Sequence, residues 1–302
     1  MIRFENVGKV YTTFVSRRRT EALTGFSMEL ARGEVVGIAG PNGAGKSTLI
    51  SLLMGFITPT SGTITIDGAV PRMYIEGHGI SYLTELVNLP NTWQVKMTLR
   101  RLARLSGLTT ADADVRAAQM QADLGLDEHA LKSIKQLSKG NLQRVGLAQS
   151  LLGDFDVVVL DEPTHGLDPL WTQRFRDVVE GLRRPDRLIL IASHNLDELE
   201  RLADRVAILD HGQLQRIVAS DAARPASQRI GWRVTFEDVV DFAAILPGAV
   251  SVDGRTGTWR VDATRTELSA ALGRLLSNGA VLIECAPEES NLESAFRAAV
   301  QR

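Results

Sequence analysis

The stretch Gly40-Pro41-Asn42-Gly43-Ala44-Gly45-Lys46-Ser47-Thr48 comes directly after a continuous apolar run, Val35-Val36-Gly37-Ile38-Ala39, and leads into a helical pattern. It matches G-x-x-x-x-G-K-[ST] in full, and the pattern has mechanical meaning only between a strand and a helix, as here. The glycines let the backbone curl so that consecutive N–H groups point inward at phosphate oxygens. The helix behind aims its positive end at the same anion. Lys46 supplies a point charge for β- and γ-phosphates, and the Ser47 hydroxyl is placed to ligate Mg²⁺.

On both sides of this loop, apolar strands alternate with helical stretches. Val157-Val158-Val159-Leu160 and Leu188-Ile189-Leu190-Ile191-Ala192 read as strands buried on both faces. Helices are expected over 142–152, 170–182 and 196–203, and a further strand over 205–209. This order predicts an α/β fold, a P-loop NTPase with a mostly parallel sheet covered on both sides. Ahead of the phosphate loop, Ile2 with Phe4 and the alternating run Phe26–Leu30 read as strands. Thr63-Ile64-Thr65-Ile66 before Asp67-Gly68 reads as another, giving an antiparallel β subdomain. Leu99, Leu102, Ala103 and Leu105, then Ala113 to Leu124, mark a helical insert at about 86–136.

The run 157–160 delivers Asp161-Glu162-Pro163 to a strand end, where open α/β sheets hold ligands. Asp161 suits a magnesium shell, through water, and Glu162 is placed to polarise an attacking water. An Ala-, Ser- and Arg-rich linker at 219–229 separates residues 1–218 from a smaller unit, 230–302. Strands at 231–236, 249–253, 257–261 and 280–285 and a helix at 265–277 predict a small ferredoxin-like α+β domain. Asp253-Gly254 marks a hairpin. Thr264 with Glu267, and Ser290 with Glu293, read as capping boxes, and Gly279 as a helix stop.

Composition limits the functional classes. The chain has 302 residues, a net charge of −2 and one cysteine, Cys285. Nucleic acid is not expected as a partner, because phosphate neutralisation needs clustered Lys and Arg. Arg17-Arg18-Arg19 reads as a solvated turn. One cysteine precludes an intrachain disulfide and fits a reducing compartment; its apolar neighbourhood suggests a core position. No leader pattern comes after Met1, and no window has the ~18–20 apolar residues of a membrane span.

Further motifs resemble one family. Leu137-Ser138-Lys139-Gly140-Asn141 resembles the signature sequence of ATP-binding-cassette (ABC) ATPases, Gly166-Leu167-Asp168-Pro169 their D-loop, and His194 their switch histidine. With Tyr11 ahead of the phosphate loop, these cover residues 1 to about 215 in the family's order. The resemblance implies that Tyr11 stacks on adenine, and that Ser138 and Gly140 contact the γ-phosphate of ATP held by an opposite copy. Asp168 would couple the two sites, and His194 would hold the γ-phosphate end and the water. Glu85 stands where the family has a glutamine, and a carboxylate can also bind Mg²⁺. Lys139 and Asn141 depart from the family's glycine and glutamine, and His165 stands where a small polar residue is usual.

The resemblance is nearest to the ATPase subunits of bacterial type-2 exporters. It implies an ATP- and Mg²⁺-dependent homodimer that powers a separate transmembrane permease. The expected place is cytoplasmic, peripheral on the inner face of the cell membrane, with export of a drug, lipid or polysaccharide. Importer ATPase and a soluble ABC switch acting on nucleic acid or the ribosome are the alternatives.

Overall fold

Val35–Ala39 is buried at every residue and forms an inner strand of a six-stranded sheet. The computed structural model describes residues 1–12, 19–219, 229–238, 240–252, 257–288 and 291–300. Arg17, Arg18, linker residues 220–228, the Asp253-Gly254 turn and Ser290 lie outside the described residues. The chain forms two compact units, Met1–Val218 and Ala219–Ala298.

In chain order the first unit contains β1 (Ile2–Thr12), β2 (Arg19–Leu30), β3 (Val35–Ala39), α1 (Lys46–Leu53), β4 (Ser61–Ile66), α2 (Pro71–His78), β5 (Ser81–Leu83), α3 (Val95–Leu105) and α4 (Thr110–Asp123). Next come α5 (Lys139–Ser150), β6 (Val157–Asp161), α6 (Pro169–Leu182), β7 (Leu188–Ala192), α7 (Leu196–Leu202), β8 (Arg205–Asp210) and β9 (Gln213–Ala219). The large sheet has the order β5-β6-β7-β3-β8-β9, and its pairs from β5 through β8 are parallel. Strands β3, β6 and β7 are buried throughout. Double-sided burial is why they read as unbroken apolar runs. Register sets Asp161 beside Ala192, and Ala192 beside Ile38. The loops after β3, β6 and β7 therefore leave the sheet at one edge.

The sheet β2-β1-β4 is antiparallel. Its Ile2, Phe4, Phe26, Met28, Ile64 and Ile66 share a core with Leu49, Ile50, Leu52 and Leu53 of α1. Phe4 and Phe26 meet edge to face, ring centroids 5.3 Å apart. Each fully buried side chain of this size contributes about 1.5–3 kcal/mol. This core fixes α1, and so the phosphate loop in front of it.

The insert consists of α3, α4 and the 3₁₀ turns Asp127–His129 and Ile134–Gln136. Leu99 and Ala103 are buried, as helical spacing predicts, whereas Leu105 ends α3 exposed. Helix α5 starts at Lys139, ahead of the expected residue 142. Helix α2 and strand β5 add to the elements that the sequence pattern predicts.

The second unit contains β10 (Ile230–Phe236), β11 (Val250–Ser251), β12 (Thr258–Ala263), α8 (Arg265–Ser277), β13 (Leu282–Pro287) and α9 (Asn291–Val300). Its antiparallel sheet has the order β11-β12-β10-β13, second-third-first-fourth, as in ferredoxin-like domains. The first helix of that pattern is replaced by turns between Val240 and Ala249, held by bonds such as Leu246 N–H to Phe242 O at 2.9 Å. The Thr264–Glu267 capping box is formed. Cys285 corrects its expectation: it is exposed, because β13 is an edge strand.

Candidate nucleotide-binding site

Between β3 and α1 the chain turns through Gly43 at φ 84° and Gly45 at φ 108°. These are left-handed conformations that only glycine adopts freely. A Cβ at Gly45 would also lie 2.7 Å from the Ala22 carbonyl oxygen. Gly45 caps α1 with no side-chain bond, so the first-turn N–H groups of α1 lack a side-chain acceptor. Pro41 to Thr48 line a cavity of about 350 Å³ together with Ala22, Glu85, Asp161 and Glu162. Gly40 comes just before this lining, and the buried Lys46 Nζ donates to its carbonyl at 2.6 Å. The ammonium is thus held at the cradle by a carbonyl that an anion can replace.

Asp161 ends β6, buried in the same cavity wall. Burial pushes its carboxyl up to about 7, Glu85 and Glu162 add repulsion, and Lys46 opposes them. Among the described residues no group of His, Cys, Asp and Glu forms a self-sufficient metal cage. Mg²⁺ does not need one, since it is held by one or two carboxylates with substrate phosphates and water. Ser47, Asp161 and Glu85 fit that pattern: crowded acids that a cation would relieve, beside a phosphate cradle.

Glu162 has φ 47°, in the left-handed region. For a residue with a Cβ this costs on the order of 1–3 kcal/mol. The Glu162 N–H is held by Ala192 O at 2.8 Å. The side chain reaches the loop after β7, where His194 Nδ1 lies 2.7 Å from Glu162 Oε2. A carboxylate acceptor places the ring hydrogen on Nδ1. The geometry therefore brings Lys46, Ser47, Glu85, Asp161, Glu162 and His194 together at the sheet edge. It does not bring Tyr11 there. That ring is 42% exposed on β1, opposite Thr20, and does not line the cradle.

A second cavity, about 280 Å³, is lined by Ser138, Lys139, Gly140, Asn141, Arg144, Gly166, Leu167, Asp168 and Trp171. It shares no residue with the first. Ser138 caps α5 by accepting the Asn141 N–H, and Asp168 caps α6 by accepting the Trp171 N–H at 2.9 Å. The Ser138 hydroxyl hydrogen stays available for a ligand. Lys139 Nζ lies 2.7 Å from His165 Nε2. The ammonium donates, so that nitrogen carries the lone pair. Its stem crosses Gly166, where a Cβ would lie 3.0 Å from Lys139 Cγ and Cδ. Two departures from the family's motifs thus meet in one contact. Gln143 ties the same helix to the acid loop, its amide donating to Glu162 O and Pro163 O, each at 3.2 Å. Sequence reasoning missed Gln143, as well as Ala22, Thr164, Ser193 and Glu198. Helix α5 is buried at every residue from Gln143 to Ala148, so no apolar stripe marks which way the Gln143 amide points.

A family model described as "ABC transporter" matches residues 23–165. The methionine import ATP-binding protein MetN of Caulobacter vibrioides is 36% identical over 221 residues, 71% of this chain and 65% of that protein. The chain thus spans less than two thirds of that relative. The linearmycin resistance ATP-binding protein LnrL of Bacillus subtilis is 32% identical over 216 residues, 71% of this chain and 68% of that protein. A dimeric structure of the ATP-binding cassette MJ0796 bound to ADP and Pi matches with TM-score 0.68 at 22% identity, over 74% of this chain and 100% of that one. That likeness establishes the fold, and the sequence matches establish the relationship: the chain belongs to the ABC transporter family of ATP-binding proteins.

Proposed function

We propose that this chain is an ATP-binding and ATP-hydrolysing subunit, that two copies enclose ATP between them, and that the pair powers a separate membrane permease. The observation that carries the reading is the division of the phosphate-contacting groups between two cavities without a common residue. One copy's cradle supplies charge, loop amides and the acid pair. The other copy's Ser138 and Gly140 supply the lid, and Asp168 links the halves. Residues 1–218 would be the nucleotide-binding domain, 219–229 a linker and 230–302 an accessory domain that braces the pair.

In this reading Lys46 exchanges the Gly40 carbonyl for phosphate oxygens, and the loop N–H groups take the remaining charge. Ser47, Asp161 and Glu85 would hold Mg²⁺, which neutralises phosphate charge when bound. Glu162 orients the attacking water at Oε2, and His194 fixes that oxygen. Tyr11 is assigned to adenine, which a tyrosine exposed at the end of β1 leaves sterically open. Arrival of the second copy excludes solvent, so that every charge–dipole contact strengthens.

Ser138→Asp separates the two half-sites. Aspartate is as good a helix cap as serine, so folding should be preserved. Its carboxylate would face the incoming phosphate of the other copy. The expected result is an unchanged melting temperature and unchanged ATP affinity of the isolated chain by calorimetry. ATP-dependent dimerisation and hydrolysis should both be lost. Weaker ATP binding by the isolated chain would place Ser138 on the cradle side and overturn the reading.

Export of a drug, lipid or polysaccharide is the favoured direction, supported by the resemblance of the single cassette, helical insert and C-terminal unit to type-2 exporters. Import is the second reading, favoured by the methionine-import relative. Among the described residues no helix is long and apolar enough to cross a membrane. Affinity purification from detergent-solubilised membranes tests this. A co-purifying permease alone supports export, and a permease with a substrate-binding protein supports import.

A further inference from the structure

Glu198 lies at the third residue of α7 and is 1% exposed. Its N–H donates to Asn195 Oδ1 at 3.3 Å. A glutamate in that place usually turns back to the cap N–H. This one turns inward. Oε2 accepts from Thr164 Oγ at 2.6 Å and faces Ser193 Oγ at 3.4 Å. Oε1 is buried with no hydrogen-bond partner among the described residues. An unsatisfied buried oxygen costs on the order of 1–3 kcal/mol, more if charged. A leucine there would pack without that cost, so packing alone does not account for a carboxylate.

The two hydroxyls on Glu198 flank the reacting centre. Thr164 lies two positions after Glu162, and Ser193 precedes His194. Ser193 Oγ also lies 3.5 Å from Glu162 Oε2 and accepts the Asn195 N–H at 3.1 Å. One hydroxyl thus stands between two carboxylates with a single hydrogen to give. We propose that Glu198 is a positioning residue for ATP hydrolysis: by bonding Thr164 and Ser193 together it holds the Glu162 and His194 loops at the spacing that lets Glu162 Oε2 meet His194 Nδ1. The inference rests on reading Glu162 as the residue that orients water.

Proton occupancy sharpens the arrangement. Burial pushes Glu198 up to about 7, while its bonds to Thr164 and Ser193 and the charge of Arg176 oppose the rise and Glu162 adds to it. The charged groups facing it are Glu162 across Ser193 and Arg176 on α6; His194 faces Glu162 from the far side. Below pH 7 the protonated carboxyl can donate to Ser193 Oγ, which frees the serine hydrogen for Glu162. Above pH 7 two anions compete for one hydrogen and repel each other.

The test uses the full chain with Glu198→Gln and Glu198→Ala. The glutamine variant is fixed in the neutral form; with its amide nitrogen in the place of Oε2 it donates to both Thr164 and Ser193 hydroxyls, so both contacts are kept and the serine hydrogen is freed for Glu162. It should retain wild-type kcat at pH 6 and exceed wild type at pH 8.5. The alanine variant should lose kcat on the order of 10- to 100-fold, the scale of a misplaced catalytic group, with KM for ATP and ATP affinity unchanged. If Glu198→Ala fails to fold, Thr164→Val removes one of the two bonds in a nearly isosteric way and should lower kcat without moving KM. A Glu198→Ala or Thr164→Val protein with wild-type kcat and pH profile overturns the inference. If Glu162→Gln itself turns over normally, the parent reading of Glu162 fails instead, so the two failures are distinguishable.

Discussion

Glu162→Gln should bind ATP as tightly as the unaltered chain and accumulate as an ATP-bound dimer while hydrolysis nearly stops. Positioned acid–base groups contribute about 10²–10⁴-fold to a rate, and a fall of that size in steady-state phosphate release is expected. The amide is nearly isosteric, keeps an oxygen for His194 Nδ1 and leaves the backbone bond to Ala192 untouched. Binding should therefore survive. Removing one negative charge from beside Asp161 also relieves part of the repulsion on that buried acid. Light scattering with ATP checks the dimer, and a phosphate-release assay checks turnover. Near-normal turnover would remove Glu162 from the mechanism. A strictly monomeric ATP-bound protein at high concentration would remove the shared-site reading.

Lys46→Ala should fail one step earlier. The ammonium is buried at the cradle and bonded to Gly40 O at 2.6 Å, so it is already placed where phosphate charge arrives. Hydrogen bonds to charged groups contribute about 1.5–3 kcal/mol, or roughly 10- to 150-fold in dissociation constant. ATP affinity should drop by that factor in calorimetry, with dimer formation lost at concentrations that saturate Glu162→Gln. The pair of variants separates binding from chemistry. An alanine variant with normal affinity and slow turnover would reduce Lys46 to a transition-state role.

The cradle and the acid pair were legible because each joins a short-range pattern to a buried strand. Val35–Ala39 and Val157–Leu160 are continuous apolar runs, and the residues next after such a run must leave the sheet edge. Ser138 and Asp168 were legible through the family's motif order; the structure shows both as helix caps. Other features had no local signature. Helix α2 buries only Tyr74, so it shows no apolar stripe, and β5 has three residues. The turns between Val240 and Ala249 replace a helix because Phe242 fills the core from a non-helical segment. Cys285 sits in an apolar stretch, yet it lies on an edge strand, and edge position is a property of the sheet, not of the run. Glu198 looks solvent-facing in Leu-Asp-Glu-Leu-Glu-Arg-Leu; only Thr164 and Ser193, the first of them far away in sequence, reveal its direction.

The left-handed backbone at Glu162 sets heat resistance against chemistry at a single residue. Glycine would occupy φ 47° without its steric cost and would take an anion away from Asp161 and Glu198. A Glu162→Gly protein should therefore melt higher, by a net gain on the order of 1 kcal/mol, and be catalytically dead. Differential scanning calorimetry beside a phosphate-release assay would show both changes at once. A screen for thermal robustness alone would favour the loss of this glutamate, so only a screen that also demands turnover would retain it.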